Sequence, residues 1–97
     1  MNTENTSSAT QVDPIVMRPS AGWYNVGGPC YDNANYGGLR IHADGYCRLP
    51  LTGRFVSGNQ WPESKNLNLF VRVCGGNRLR GIMVWAMNLV ENGYDSN

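Results

Sequence analysis

The sequence predicts an all-β domain, a small antiparallel sandwich or barrel with an extended N-terminal arm. Three observations carry this. Asp44-Gly45 stands between two short apolar-containing segments as a hairpin turn signature. Residues 67–73 alternate apolar and polar with the period of a strand, and residues 79–90 form an apolar run that fits a strand buried on both faces. The first thirteen residues are small and polar, with no core-forming pattern, so residues 1–19 are assigned to the arm and residues 20–97 to the body.

Pro14-Ile15-Val16-Met17-Arg18-Pro19 reads as a short edge strand or extended arm, because a proline at either end keeps it out of a central ladder. Residues 20–38 are dense in Gly, Asn and aromatics, Trp23, Tyr24, Tyr31 and Tyr36 among them, and read as a long loop folding its rings back over the sheet. A tight two-residue hairpin follows. In that register Leu39, Ile41 and Ala43 share one face with Tyr46 and Arg48, while Arg40 and His42 share the other with Cys47 and Leu49. Pro50 ends it, and residues 52–56 continue as a short irregular strand. Residues 57–66 are a loop around Trp61. In the alternating segment Leu67, Leu69, Val71 and Val73 point inward and Asn68, Phe70 and Arg72 outward, an outward phenylalanine implying a covered second face or an interface. For residues 82–91 a helix stopped by Asn92-Gly93 competes with the strand, which Ile82, Val84 and Trp85 favour.

Ninety-seven residues make one domain with a thin stability margin. Cys30, Cys47 and Cys74 are odd in number, and no basic-then-apolar leader follows Met1, so reduced, partly buried thiols are expected rather than a disulfide scaffold. The longest apolar run falls far short of the roughly 20 residues that span a bilayer, so no membrane partner is expected. The net charge of +1 conceals a basic body, residues 15–90 at +5, between acidic ends. Seven of the eight basic residues are arginine, the side chain suited to directional pairing at contact surfaces.

No catalytic kit is legible. The three cysteines with His42 lack the close spacing of a zinc signature, and a Cys47–His42 pair across the hairpin lacks an orienting third group. The acidic residues are scattered, and the glycine clusters match neither the phosphate-loop nor the dinucleotide fingerprint. Residues 81–88, Gly-Ile-Met-Val-Trp-Ala-Met-Asn, resemble the final barrel strand of the chitinase-like glycoside hydrolases, in which a tryptophan floors the sugar site. That barrel needs about 250 residues, so the resemblance stays local. No enzyme activity, cofactor or metal is expected.

The functional expectation is a structural subunit of a homo-oligomeric assembly, a viral particle component such as a capsid decoration or phage tail protein, found in the virion and assembled in the host cytoplasm. Its partners are copies of itself and other structural proteins. The expected interface groups are Ile15, Val16 and Met17 on the arm, Trp23, Tyr24, Trp61 and Phe70 as aromatic anchors, and Arg72. Two alternatives stand beside it. One is a glycan-binding module using Trp23, Tyr24, Tyr31, Tyr36 and Trp61. The other is a small nucleic-acid-binding barrel with Arg40, Arg48, Arg54, Arg72, Arg78 and Arg80 along a groove and Tyr46, Phe70 or Trp61 as stacking platforms, against which count the near-absence of lysine and the spread of the arginines over both expected hairpin faces.

Overall fold

The computed structural model describes residues 21–96, and the first half of them is a meander of short antiparallel strands. These are β1 (Trp23–Gly27), β2 (Cys30–Asn33), β3 (Arg40–His42), β4 (Tyr46–Arg48) and β5 (Phe55–Ser57), hydrogen-bonded in sequence order into an open five-stranded sheet. Two helices follow, α1 (Leu67–Val73) and α2 (Arg78–Glu91), with a single 3-10 turn before α1 (Glu63–Lys65) and another after α2 (Tyr94–Ser96). The chain is therefore a mixed α/β fold and not the all-β sandwich or barrel its pattern predicts. The arm residues Ile15, Val16 and Met17 lie outside the described residues.

Residues 20–38, expected as a long loop, hold the first hairpin. Asn25 closes its turn, its side-chain amide donating to the carbonyls of Gly28 and Cys30, both at 2.9 Å. Gly27 and Gly28 supply the left-handed backbone there, at φ 123° and 54°.

The β3–β4 hairpin exists, but its loop has three residues. His42 pairs with Tyr46, Ile41 with Cys47 and Arg40 with Arg48. Gly45, at φ 107°, donates its N–H to the His42 carbonyl at 2.9 Å, so Ala43, Asp44 and Gly45 together make the turn. A one-residue slip exchanges the faces of a strand. Ile41 and Cys47 consequently share the inner face, and His42 and Tyr46 the outer one.

Both segments read as strands at the C-terminal end are helical. Asn66 caps α1, its side-chain oxygen accepting from the Asn68 N–H at 2.9 Å, and Asn77 caps α2 by accepting from the Arg80 N–H at 3.0 Å. Leu67, Leu69 and Phe70 of α1 are buried and Val73 is exposed, the reverse of what alternation predicts for Phe70 and Val73. In α2, Ile82, Trp85, Ala86 and Leu89 recur at helical spacing and are all buried. The stretch that resembles a barrel strand is thus the middle of a helix. One hydrophobic cluster joins Ile41, Cys47 and Val56 of the sheet, Leu39 and Leu49 beside it, and the buried residues of both helices.

Two further contacts close the C-terminal end. The buried Asp95 carboxylate accepts from the Leu51 N–H, and from the Thr52 N–H and hydroxyl, both at 3.0 Å. Trp61 packs on Tyr94 at 4.9 Å between ring centroids, with the Lys65 ammonium 5.0 Å from the same ring.

Candidate functional site: the outer face of the sheet

Because α1 and α2 supply one layer only, the other face of the sheet is left without a helix among the described residues. Strand alternation and the observed registers set two rows of side chains on it. One row runs across all five strands as Tyr24, Asp32, Arg40, Arg48 and Phe55. The other, on β2 to β5, runs Cys30, His42, Tyr46 and Ser57. At the usual spacing of about 4.8 Å between strands, a row over five strands spans about 19 Å.

Aromatic groups occupy the β3–β5 side of this face. The His42 and Tyr46 rings stack with centroids 4.3 Å apart and planes within 9°. Phe55 lies 5.9 Å from Tyr46 and 6.4 Å from His42, tilted to both, and remains 57% exposed. Tyr24, on the opposite edge strand, is 52% exposed. Each edge of this face therefore carries one large ring half open to water.

Charge on the face is unevenly paired. Arg40 donates to Asp32 through two parallel bonds, Nε to Oδ1 at 2.6 Å and Nη2 to Oδ2 at 2.9 Å. That hydrogen bonding, with the fields of Arg40 and Arg48, holds the Asp32 carboxyl below its usual range against a smaller opposing effect of burial, and it raises the Arg40 guanidinium. Arg48 stands directly across from Arg40 and has no carboxylate within ion-pair distance among the described residues. Like charges directly opposite in a ladder are destabilising. Asp32 is bonded to Arg40 and feels the field of Arg48 as well, so one carboxylate serves two guanidiniums.

The Cys30 thiol lies 4.0 Å from His42 Nε2 on the same face, so His42 meets Cys30 and not Cys47. Cys47 lies in the core, where burial pushes its thiol up to about 12, and burial also raises Cys74. The three cysteines are therefore dispersed, and among the described residues no three metal-ligating side chains converge.

The expected interface residues separate into two groups. Tyr24 is on the outer face, and Arg72 is exposed on α1, 3.6 Å from Glu63. Phe70 is buried in the core, and Trp23 and Trp61 pack against it half-buried. Of the aromatics assigned to glycan binding, Tyr31 and Tyr36 also pack on the core, leaving Tyr24 the exposed one. Of the arginines assigned to nucleic acid, Arg40 and Arg48 share the outer face with Tyr46. Arg54 donates to the Tyr94 carbonyl at 3.1 Å and Arg78 to the Asp44 carbonyl at 3.1 Å. Phe55 was not singled out from the sequence, although its place two residues before Ser57 in a strand pairing with Tyr46 follows once the register is known.

Comparison with models of protein families, with characterised proteins and with solved structures finds no match to this chain. The β-sandwich behind the viral-particle expectation is replaced by an α/β fold, and nothing in the comparisons points to a virion, a capsid or a phage. No described helix is long and apolar enough to cross a membrane.

Proposed function

We propose that this chain is a non-enzymatic binding module whose working surface is the outer face of its sheet. The observation that carries this reading is the pairing of Arg40 with Arg48 on a face that also leaves Tyr24 and Phe55 half exposed. Arg40 is held by Asp32 and Phe55 by Tyr46, but the second arginine and the open ring surface are not needed for that packing. A sheet face that met only water would be more stable with opposite charges or threonines at those positions, whereas aromatic and arginine side chains are the groups that dominate binding energy at contact surfaces.

The test maps contacts on the full chain. Backbone amide shifts are followed by NMR against an oligonucleotide, a set of neutral oligosaccharides, and increasing concentration of the protein itself. The reading expects perturbations centred on β1–β5 and their loss in the double variant Tyr24→Ser, Phe55→Ser. Binding that maps to the helical layer, or that survives the double variant, overturns it.

A second reading, a structural subunit of a homo-oligomer, draws on the two end strands of the sheet, neither of which has a further strand beside it among the described residues. β1 is an end strand with Tyr24 and Val26 exposed, and β5 is the other end strand. Unpaired edges invite strand addition from another copy. Sedimentation equilibrium tests it, with Val26→Lys in β1 expected to abolish self-association; a monomer over the micromolar range overturns this second reading.

A further inference from the structure

We infer that the ligand of the outer sheet face is a single-stranded nucleic acid, with bases stacked at His42, Tyr46 and Phe55 and a backbone phosphate held by Arg48. The inference rests on the binding-module reading and names its ligand.

Charge argues first. Asp32 is bonded to the Arg40 guanidinium and also feels Arg48, so one carboxylate faces two guanidiniums and, among the described residues, the row carries a net positive charge. Every other described carboxylate lies elsewhere: Asp44 in the β3–β4 turn, Glu63 in the 3-10 turn before α1, Glu91 at the end of α2 and Asp95 against Leu51 and Thr52. The complement of this surface is therefore an anion. A guanidinium beside another guanidinium is a poor choice for a sheet and a good one for phosphate, which accepts from two directions.

Ring chemistry argues second. Stacking on aromatic side chains is tolerant of base identity because every base has a π-face, and a sheet surface bearing aromatics with arginines nearby offers both terms at once. His42, Tyr46 and Phe55 lie within 6.4 Å of one another, centre to centre, with Tyr24 at the far edge. A face about 19 Å across accommodates two or three splayed bases.

The same charge disfavours a neutral occupant. A neutral oligosaccharide gives Arg48 no counter-charge, and most aromatics assigned to sugar binding are packed on the core.

Fluorescence anisotropy of the full chain with a labelled oligouridylate, and with the matching oligothymidylate, each of about eight nucleotides, tests the inference. Saturable binding is expected, weakening about threefold for each phosphate neutralised as salt rises from about 50 to about 200 mM. Phe55→Ala should weaken it on the order of tenfold. Arg48→Gln should weaken it and flatten the salt dependence, and Val73→Ser on α1 should change nothing. Phe55 is exposed, so its variant keeps the test valid if Tyr46→Ala unfolds, and thermal unfolding midpoints check each fold. Absence of saturable binding, or binding indifferent to both Phe55→Ala and Arg48→Gln, overturns the inference. If the oligonucleotide fails while Phe55→Ala abolishes sugar binding or self-association, the ligand assignment falls and the binding-module reading stands. If no probe responds to the face variants, both fall.

Discussion

Gly81 of α2 approaches α1 so closely that a Cβ on it would lie 2.7 Å from the Cα of Val71. The atom met is backbone, which cannot swing aside, so the absence of a side chain at residue 81 sets how near the two helices lie. Gly81→Ala should raise local helix propensity by about 1 kcal/mol and still destabilise the protein. A net loss of about 1–3 kcal/mol is expected from forced separation of packed elements. Urea denaturation checks it; an unchanged or higher midpoint would show that the helices can move apart freely.

The buried thiol of Cys47 makes stability fall in alkali. Its value is raised in the folded chain, to about 12, so its contribution is complete below the thiol's unfolded value and is lost as pH rises through the folded one. Within that window the loss is about 1.4 kcal/mol per pH unit. Cys47→Ala should remove this component while lowering stability at neutral pH through lost packing. Iodoacetamide at neutral pH should label Cys30 faster than Cys47, as read by mass spectrometry of the peptides.

Asp95 fastens the C-terminal 3-10 turn to the 51–53 bend, being buried and accepting from two backbone N–H groups and one hydroxyl. Asp95→Ala leaves those donors unanswered. A cost of about 1–3 kcal/mol is expected, with hydrogen exchange at Leu51 and Thr52 accelerated more than in β3. Uniform acceleration would mean that the contact supports the whole fold rather than its end.

Asp32 should matter more to stability in neutral solution than in acid. Its carboxyl is held low by Arg40, so the stabilisation is present above its unfolded value and is lost as pH falls through the folded one. Asp32→Asn should therefore lower the denaturation midpoint at neutral pH and converge with the parent in acid. Arg48→Gln, by contrast, should raise the midpoint without ligand, since it removes the like charge opposite Arg40. A lower midpoint would make Arg48 a folding residue and weaken the case for binding.

Much of the first half of the fold was legible. Asp44-Gly45 marked a real hairpin, and its flanks do pair. Its register was one residue off, because a glycine in that position serves equally in a two-residue turn and in a three-residue turn, and only the Gly45 to His42 hydrogen bond separates them. The slip had functional weight: it placed His42 beside Cys47 and separated Tyr46 from His42, hiding the aromatic group of the outer face. It also put Arg40 and Arg48 on opposite faces of the hairpin, whereas the observed register sets them on one. The β1–β2 hairpin was hidden by its own Gly and Asn content, since those residues mark a turn clearly and short flanking strands poorly.

By itself the sequence determined a turn at Asp44-Gly45, three cysteines dispersed along the chain and a basic, arginine-rich body. Only the tertiary structure decided that residues 67–73 and 78–91 are helical and that, among the described residues, both helices cover the same sheet face. The reason is that Leu-Asn-Leu-Phe-Val-Arg-Val satisfies a strand's period within its own seven residues, whereas its helical form gains by burying Leu67, Leu69 and Phe70 beside a helix that presents Gly81. That gain belongs to two segments at once, so no pattern within either one announces it.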